Sequence, residues 1–297
     1  MTALGHVGGG TFEPLQLIAV TVAATAYAFR AQSLAGEGRP VPGWRIGCFA
    51  AGILLIGAGL VTPLAHMGEE LLLAHMGQHL LVGDIAALLI VLGLTGPLLQ
   101  PLLAIKAIDA LRVLTHPLIA LPLWIASLYI WHIPVLYQEA LSNEAVHALQ
   151  HACFIGFGIL MWMPLVGPLP VPKWFGIGPK IGYVIAVRFA GTVLGNVFMW
   201  SGTVFYPDYG PGEADFGISP LSDQGTAGVI MTIEGGLVTL GVLAWLLLLW
   251  ARQDTERQHL VELAEEEGVA LTDARARRAV EAGEGARLER RLRGGRA

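Results

Sequence analysis

Charged residues are scarce in this chain, at 14% of its 297 residues, whereas hydrophobic residues make up 54%. Soluble globular proteins carry about 25% charged residues. The composition therefore argues against a disordered chain, an ordinary soluble enzyme and a nucleic-acid-binding domain, and we expect no nucleic acid partner. It predicts an all-α polytopic membrane protein whose surroundings are the lipid bilayer.

Cysteine is nearly absent as well, since Cys48 and Cys153 are the two in the sequence and neither belongs to a C-x-x-C motif. This argues against a disulfide framework and against a thiolate zinc site. Both cysteines lie in apolar runs, which favours a role as small buried hydrophobic residues.

Seven segments are apolar enough to cross a membrane, which takes about 20 mainly apolar residues. The composition changes at Ala251, after which the chain holds 10 arginines and 10 acidic residues. We therefore predict a seven-helix membrane domain over residues 1–250 and a charged, partly helical tail over residues 251–297. The predicted spans are Pro14–Phe29, Trp44–Thr62, Glu70–Leu94, Pro117–Ile133, Glu144–Pro164, Ile181–Ser201 and Thr226–Trp250.

Basic residues are missing from the N-terminal segment and from every second connection between these spans. Seven of them occupy the other three connections, and a bias of this kind marks the cytoplasmic side of a membrane protein. The pattern predicts an N-terminus outside and a cytoplasmic C-terminus. The seven residues are Arg30, Arg39, Arg45, Lys106, Arg112, Lys173 and Lys180.

Six histidines share the outer leaflet of this topology. They are His66, His75, His79, His132, His147 and His151. His75 and His79 form an H-x-x-x-H pair, as do His147 and His151. Residues four apart stand on one face of a helix. Two such pairs on neighbouring helices offer four imidazoles to one ion. Each histidine taken singly also fits a hydrogen bond between helices.

The residue types around the histidines favour particular ions. Imidazole suits copper, zinc and iron, whereas a thioether favours copper(I), and Met76 lies between the first pair. Asp223 precedes the last span on the outer side, and three roles stay open for it. It is a helix cap, a partner that orients a ligating imidazole, or a metal ligand itself.

Three ionisable residues, Asp84, Arg188 and Glu234, fall inside predicted spans. An unpaired charge at the bilayer centre costs at least about 3 kcal/mol on insertion scales. We therefore expect Arg188 to pair with Asp84, with Glu234 or with both. Such a network is either a lock between helices or a proton or ion relay below the metal site.

Several short motifs occur in a fixed order along the chain. They are HMGQHL at 75–80, LTHP at 114–117, WHIPVLY at 131–137, HALQH at 147–151, GP at 167–168, and SPLSDQ at 219–224 followed by AGVIM at 227–231. In these motifs the chain resembles the multi-span CtaG family of cytochrome c oxidase assembly factors, over roughly residues 60 to 250.

The resemblance implies a bacterial plasma-membrane protein that supports formation of the copper B centre of a haem-copper oxidase. It implies His75, His79, His132, His147, His151 and Asp223 as the residues of the site.

The histidines and the resemblance together lead to one main hypothesis. The protein is a copper chaperone, and not an enzyme, that holds Cu(I) or Cu(II) on the outer cluster of histidines and methionines. It then passes the ion to oxidase subunit I, and a periplasmic copper donor is a further partner to consider.

Two other hypotheses stay open. A membrane-embedded zinc hydrolase would use Asp223 or Glu70 as its base. A haem-bearing electron carrier would use His79 and His151 as axial ligands. Lipase or amidase turnover with zinc retention would indicate the hydrolase, and a Soret band would indicate the haem-bearing carrier.

Overall fold

A computed structural model of the protein describes residues 14–61 and 63–294, and the regular structure within them is helical. Thr62, the predicted end of the second span, and the N-terminal segment with its predicted outer location lie outside these residues. The α-helices are α1 (Pro14–Gly36), α2 (Gly43–Val61), α3 (Pro63–Glu70), α4 (Leu72–Leu80), α5 (Ala86–Gly93), α6 (Gly96–Leu103), α7 (Lys106–Leu111), α8 (Pro117–Trp131), α9 (Pro134–Ser142), α10 (Glu144–Val166), α11 (Ile177–Trp200), α12 (Gly210–Phe216), α13 (Pro220–Glu266), α14 (Asp273–Glu281) and α15 (Gly285–Arg293).

Six helical runs in the described part are long and apolar enough to cross a membrane: α1, α2, α4 continuing into α5, α10, α11 and α13. A seventh results only if Lys106–Thr115 and α8, which meet at an angle of 80°, count as one span. The described residues thus form an all-helical part with six or seven candidate membrane spans, as in a multi-pass membrane protein. The side of the membrane on which each terminus lies stays a prediction.

The fourth predicted span is shorter in the structure, because α8 has 15 residues and ends at Trp131. Pro117 disfavours a helical conformation in the residue before it, and His116 is extended, with a ψ of 132°. The helix therefore cannot continue backwards into Arg112–Thr115, and the chain bends there.

The third predicted span, Glu70–Leu94, is also interrupted. Leu71 is extended and separates α3 from α4, so that α4 has a free N-terminus. Further along, Leu81–Ile85 is a π-helical turn that joins α4 to α5. Single π turns inside α-helices are frequent at functional sites, and Asp84 lies in this one.

Helix α10 packs against α8, against α5 and against the π turn. Its closest approach is at Gly158, where a Cβ atom would collide with the carbonyl oxygen of Gly83. Small residues of this kind let membrane helices come close together. The contact fixes the distance between α4 and α10, the two helices that carry the H-x-x-x-H pairs.

The chain divides into two compact units between Leu237 and Val238. In the second unit, the end of α13 packs with α14 and α15 around an apolar cluster that includes Leu260 and Val280. Thr272 caps α14 by accepting a hydrogen bond from the Arg275 N–H at 3.3 Å. The predicted domain boundary at Ala251 stays a prediction.

Candidate metal centre

Three imidazoles from two helices converge in the membrane domain. His75 and His79 on α4 and His147 on α10 each offer one ring nitrogen, and these nitrogens lie within 4.8 Å of one another. His75 and His79 are buried, and His147 is half-buried. Metal–nitrogen bonds of about 2.0–2.1 Å place the nitrogens of neighbouring ligands about 3–4 Å apart. Small side-chain movements would therefore bring the three nitrogens onto one ion.

The fourth member of the two predicted pairs, His151, is fully buried beside this group. Its ring centroid is 4.3 Å from that of His147 and 5.2 Å from that of His79. The two H-x-x-x-H pairs thus face each other across α4 and α10. A bound ion would have a further imidazole within reach of its first three.

Hydrogen bonds to backbone carbonyls orient two of the histidines. The Nδ1 atom of His75 is 3.0 Å from the carbonyl oxygen of Gly68, and that of His132 is 2.6 Å from the carbonyl oxygen of Leu128. An acceptor at Nδ1 assigns the proton to that nitrogen and leaves the Nε2 lone pair available, which is the usual arrangement for metal-ligating histidines.

Several of these imidazole nitrogens are buried without a hydrogen-bond partner in the described part of the chain. They are Nε2 of His75, both ring nitrogens of His79, and Nε2 of His132. A buried polar atom left without a partner costs about 1–3 kcal/mol. A cluster of them is therefore explained best by a ligand that they share.

Two further predicted ligands, His132 and His66, are not members of the three-histidine group. His132 follows the last residue of α8, and the ring of Phe154 contacts both His132 and His79. His66 lies on α3, and its Nδ1 atom is 3.7 Å from a carboxylate oxygen of Glu69. A role for either residue in binding metal stays a prediction.

Asp223 serves as a cap, but at the N-terminus of α4 instead of that of its own helix. Its two carboxylate oxygens accept hydrogen bonds from the N–H groups of Leu72 and Leu73, at 2.7 and 3.0 Å. The break at Leu71 leaves these N–H groups without helical partners, and a negative charge also interacts favourably with a helix N-terminus. Asp223 thus fixes the start of the helix that carries His75 and His79. A role as a metal ligand stays a prediction.

Aromatic and sulfur-containing side chains surround the imidazoles. The hydroxyl groups of Tyr137 and Tyr209 are 3.0 Å apart, and both rings contact His75. Met76 and Met231 are buried in the apolar cluster to which these tyrosines belong. The cluster excludes water from one side of the site. Coordination by Met76 stays a prediction.

Sequence comparison decides the family. The family model of the cytochrome c oxidase caa3 assembly factor (Caa3_CtaG) matches residues 25–253. The chain belongs to this family. The resemblance seen in the motifs is confirmed, and the family is one of cytochrome c oxidase assembly factors.

Two curated relatives of this chain are uncharacterized mycobacterial proteins, Mb0105 of Mycobacterium bovis (strain ATCC BAA-935 / AF2122/97) and MT0111 of Mycobacterium tuberculosis (strain CDC 1551 / Oshkosh). Each is 28% identical over 145 residues, which is 48% of this chain and 22% of the relative. The match thus spans about a fifth of the length of these relatives. No solved structure matches the chain.

The charged residues inside the spans form a separate group. Asp84 accepts a hydrogen bond from Nε1 of Trp162 at 2.8 Å, and the carboxyl group of Glu234 lies beside it. Arg188 interacts electrostatically with Glu234. The expected pairing of Arg188 with Asp84, with Glu234 or with both stays a prediction.

Sequence reasoning did not find several polar residues in this region of the chain. Gln150 is fully buried, and both polar atoms of its amide have no partner among the described residues. Its place within the HALQH motif is the one signal in the sequence that could have indicated it. Glu213, on α12, is buried and hydrogen-bonded to Asp223. No local pattern indicates Glu213 or Tyr209, because both reach the site from the connection between α11 and α13.

Proposed function

We propose that this assembly factor binds copper on His75, His79 and His147 and delivers it to the copper B centre of haem-copper oxidase subunit I. One observation carries the proposal: the ligand nitrogens of three histidines lie within 4.8 Å of one another in a buried position. The unpartnered nitrogens of His75 and His79 are the atoms that the ion would satisfy.

Two arguments favour copper over other ions. The family assembles cytochrome c oxidase, and copper B is the centre that the motif resemblance links to the family. Met76 and Met231 are buried in the apolar cluster beside the histidines, and thioether sulfur suits Cu(I). Zinc stays the alternative ion, since three histidines also form a ligand set for zinc.

Delivery requires that the ion leave again. His151 lies beside His79 and His147, so the site offers more imidazoles than its first three ligands. Surplus ligands let copper move by stepwise exchange, one bond forming as another breaks. On the predicted topology the site lies in the outer leaflet of the bacterial plasma membrane, where a periplasmic donor would load it. In this role the protein is a chaperone and not an enzyme.

Oxidase maturation in cells tests the proposal. A strain that lacks this chain receives the wild type, a His79→Ala variant or a His259→Ala variant, whose histidine is exposed in the charged tail. We expect oxidase with copper B from the wild type and from His259→Ala, and oxidase with haem but little copper from His79→Ala. Copper-replete oxidase from cells that carry a well-expressed His79→Ala variant would contradict the proposal.

Metal competition separates copper from zinc. Purified protein is exposed to Cu(I) and Zn²⁺ together, and the retained metal is measured after excess ion is removed. Retention of copper is expected. Retention of zinc together with hydrolysis of lipid amides or esters would favour the membrane hydrolase, and a Soret band would favour the haem-bearing carrier.

A further inference from the structure

Two carboxyl groups meet inside the membrane-spanning part of the chain. Asp84, on the π turn, and Glu234, on α13, lie close enough for their carboxyl groups to interact directly, and both are half-buried. An ionised carboxylate has no hydrogen to donate and only accepts hydrogen bonds. A hydrogen bond between the two side chains therefore forms only when one of them carries a proton.

The charge balance of the group leads to the same count. Arg188 contributes one positive charge and interacts with Glu234. With one proton shared by the two carboxyls the group is neutral. With none it carries one negative charge, and with two it carries one positive charge. A net charge within a membrane is costly, so the singly protonated state is favoured.

Two glycines next to Glu234 leave space for the side chain of Arg188. The guanidinium of Arg188 lies against Gly235 and Gly236, the two residues that follow Glu234. A Cβ atom on Gly235 would be 2.7 Å from Nη1 of Arg188, and one on Gly236 would be 3.5 Å from Nη2. The glycines thus leave the space in which the guanidinium lies close to the acid.

The remaining contacts hold the acids in place. Nε1 of Trp162, on α10, donates to Oδ1 of Asp84 at 2.8 Å. Oε1 of Glu234 is buried without a hydrogen-bond partner in the described part of the chain. Among the candidate metal ligands on the same helical run, His79 is the nearest to Asp84 in sequence and lies five residues before it. The charged groups that the structure brings to this place are Asp84, Glu234 and Arg188.

We propose that Asp84 and Glu234 form a proton-binding site within the membrane, which holds one proton between the two carboxyl groups beside Arg188. The ligand of the site is the proton. The site is separate from the three-histidine group, and the proposal stands whether or not that group binds copper.

Infrared spectroscopy of the full-length protein tests the proposal through the carbonyl-stretch band of a protonated carboxylic acid. Glu213 and Asp223 are also hydrogen-bonded acids, so every sample carries Glu213→Gln, whose amide can donate to Asp223 without a shared proton. In this background we expect the band at neutral pH, shifted in D2O. It should be lost in Asp84→Asn and in Glu234→Gln and kept in the exposed control Asp215→Asn. A missing band in the background protein, or a band that both variants keep, would overturn the proposal.

Chemical labelling covers the case in which these variants do not fold. Dicyclohexylcarbodiimide is an apolar reagent that adds the O–H bond of a protonated carboxylic acid across one of its C=N bonds. We expect wild-type protein in lipid vesicles to be labelled at Asp84 or Glu234 at neutral pH and much less at alkaline pH, as mapped by peptide mass spectrometry. Labelling at neither residue would refute a shared proton.

Discussion

The capping of α4 by Asp223 leads to a prediction whose size follows from the structure. Asp223→Ala removes two hydrogen bonds to the N–H groups of Leu72 and Leu73, which span 2.7 and 3.0 Å. Hydrogen bonds to charged groups contribute about 1.5–3 kcal/mol each, and loss of a helix cap costs about 0.5–2 kcal/mol. Some of the loss is recovered when water reaches the exposed N–H groups. We therefore expect the free energy of unfolding to fall by about 2–4 kcal/mol.

Asp223→Asn is the matched variant for this measurement. Its amide oxygen still accepts from one of the two N–H groups, so we expect about half of the loss, roughly 1–2 kcal/mol. Unfolding in detergent is followed by tryptophan fluorescence, with the exposed Asp215→Asn as the control. An Asp223→Ala variant that unfolds within about 0.5 kcal/mol of the wild type, the range of ordinary surface substitutions, would refute the capping account.

Copper retention in the same variants separates a cap from a ligand. If Asp223 acts by positioning α4, the loss of copper affinity should follow the loss of stability and be larger for Asp223→Ala than for Asp223→Asn. A variant that keeps its stability and still loses its copper would show instead that Asp223 is a ligand.

Three further predictions concern packing, pH and ligand choice. Gly158→Ala should destabilise the fold by about 1–3 kcal/mol, because its methyl group collides with backbone. Gly156→Ala, whose added atom meets nothing within 4 Å, should not, and equal thermal unfolding of the two variants would contradict this. Burial, together with the nearby Asp223, raises the pKa of Glu213 above its ordinary 4.5. The folded state thus holds this proton more strongly, and its stability contribution is present below about pH 4.5 and lost as the pH rises through the raised pKa. Glu213→Gln should remove this part of the pH dependence of unfolding, and an unchanged pH profile would count against it. His66→Ala should keep its copper whereas His75→Ala loses it, since His66 lies outside the three-histidine group. Metal analysis of both variants checks this, and copper loss in His66→Ala alone would reverse the assignment.

Much of the fold was predictable because the hydropathy of each segment can be read directly from its residues. Apolar length located the helices, and the spacing of four residues placed His75 and His79 on one helix face and His147 and His151 on another. The two faces meet because the helices pack closely, with Gly158 of α10 against the backbone of Gly83. Such an approach is not visible in a local pattern.

The parts that sequence reasoning missed arise from backbone irregularities and from long-range contacts. The break at Leu71 creates the free N–H groups that Asp223 caps across about 150 residues of chain. Hydropathy gives no sign of it, because Leu71 is as apolar as Leu72 and Leu73, which begin α4. The fourth span was predicted too long because Ile133 is apolar enough to extend α8, whereas its position before Pro134 makes it extended.

Copper binding by the histidines of α4 is the central claim, and metal analysis tests it most directly. Detergent-purified protein is loaded with Cu(I), freed of excess ion and analysed for metal. The wild type is compared with a His75→Ala, His79→Ala double variant and with a His116→Ala, His259→Ala control that removes two histidines outside the group. We predict stoichiometric copper in the wild type and in the control, and its loss in the double variant. Wild-type protein without copper above background, or a double variant that binds as much as the wild type, would contradict the account.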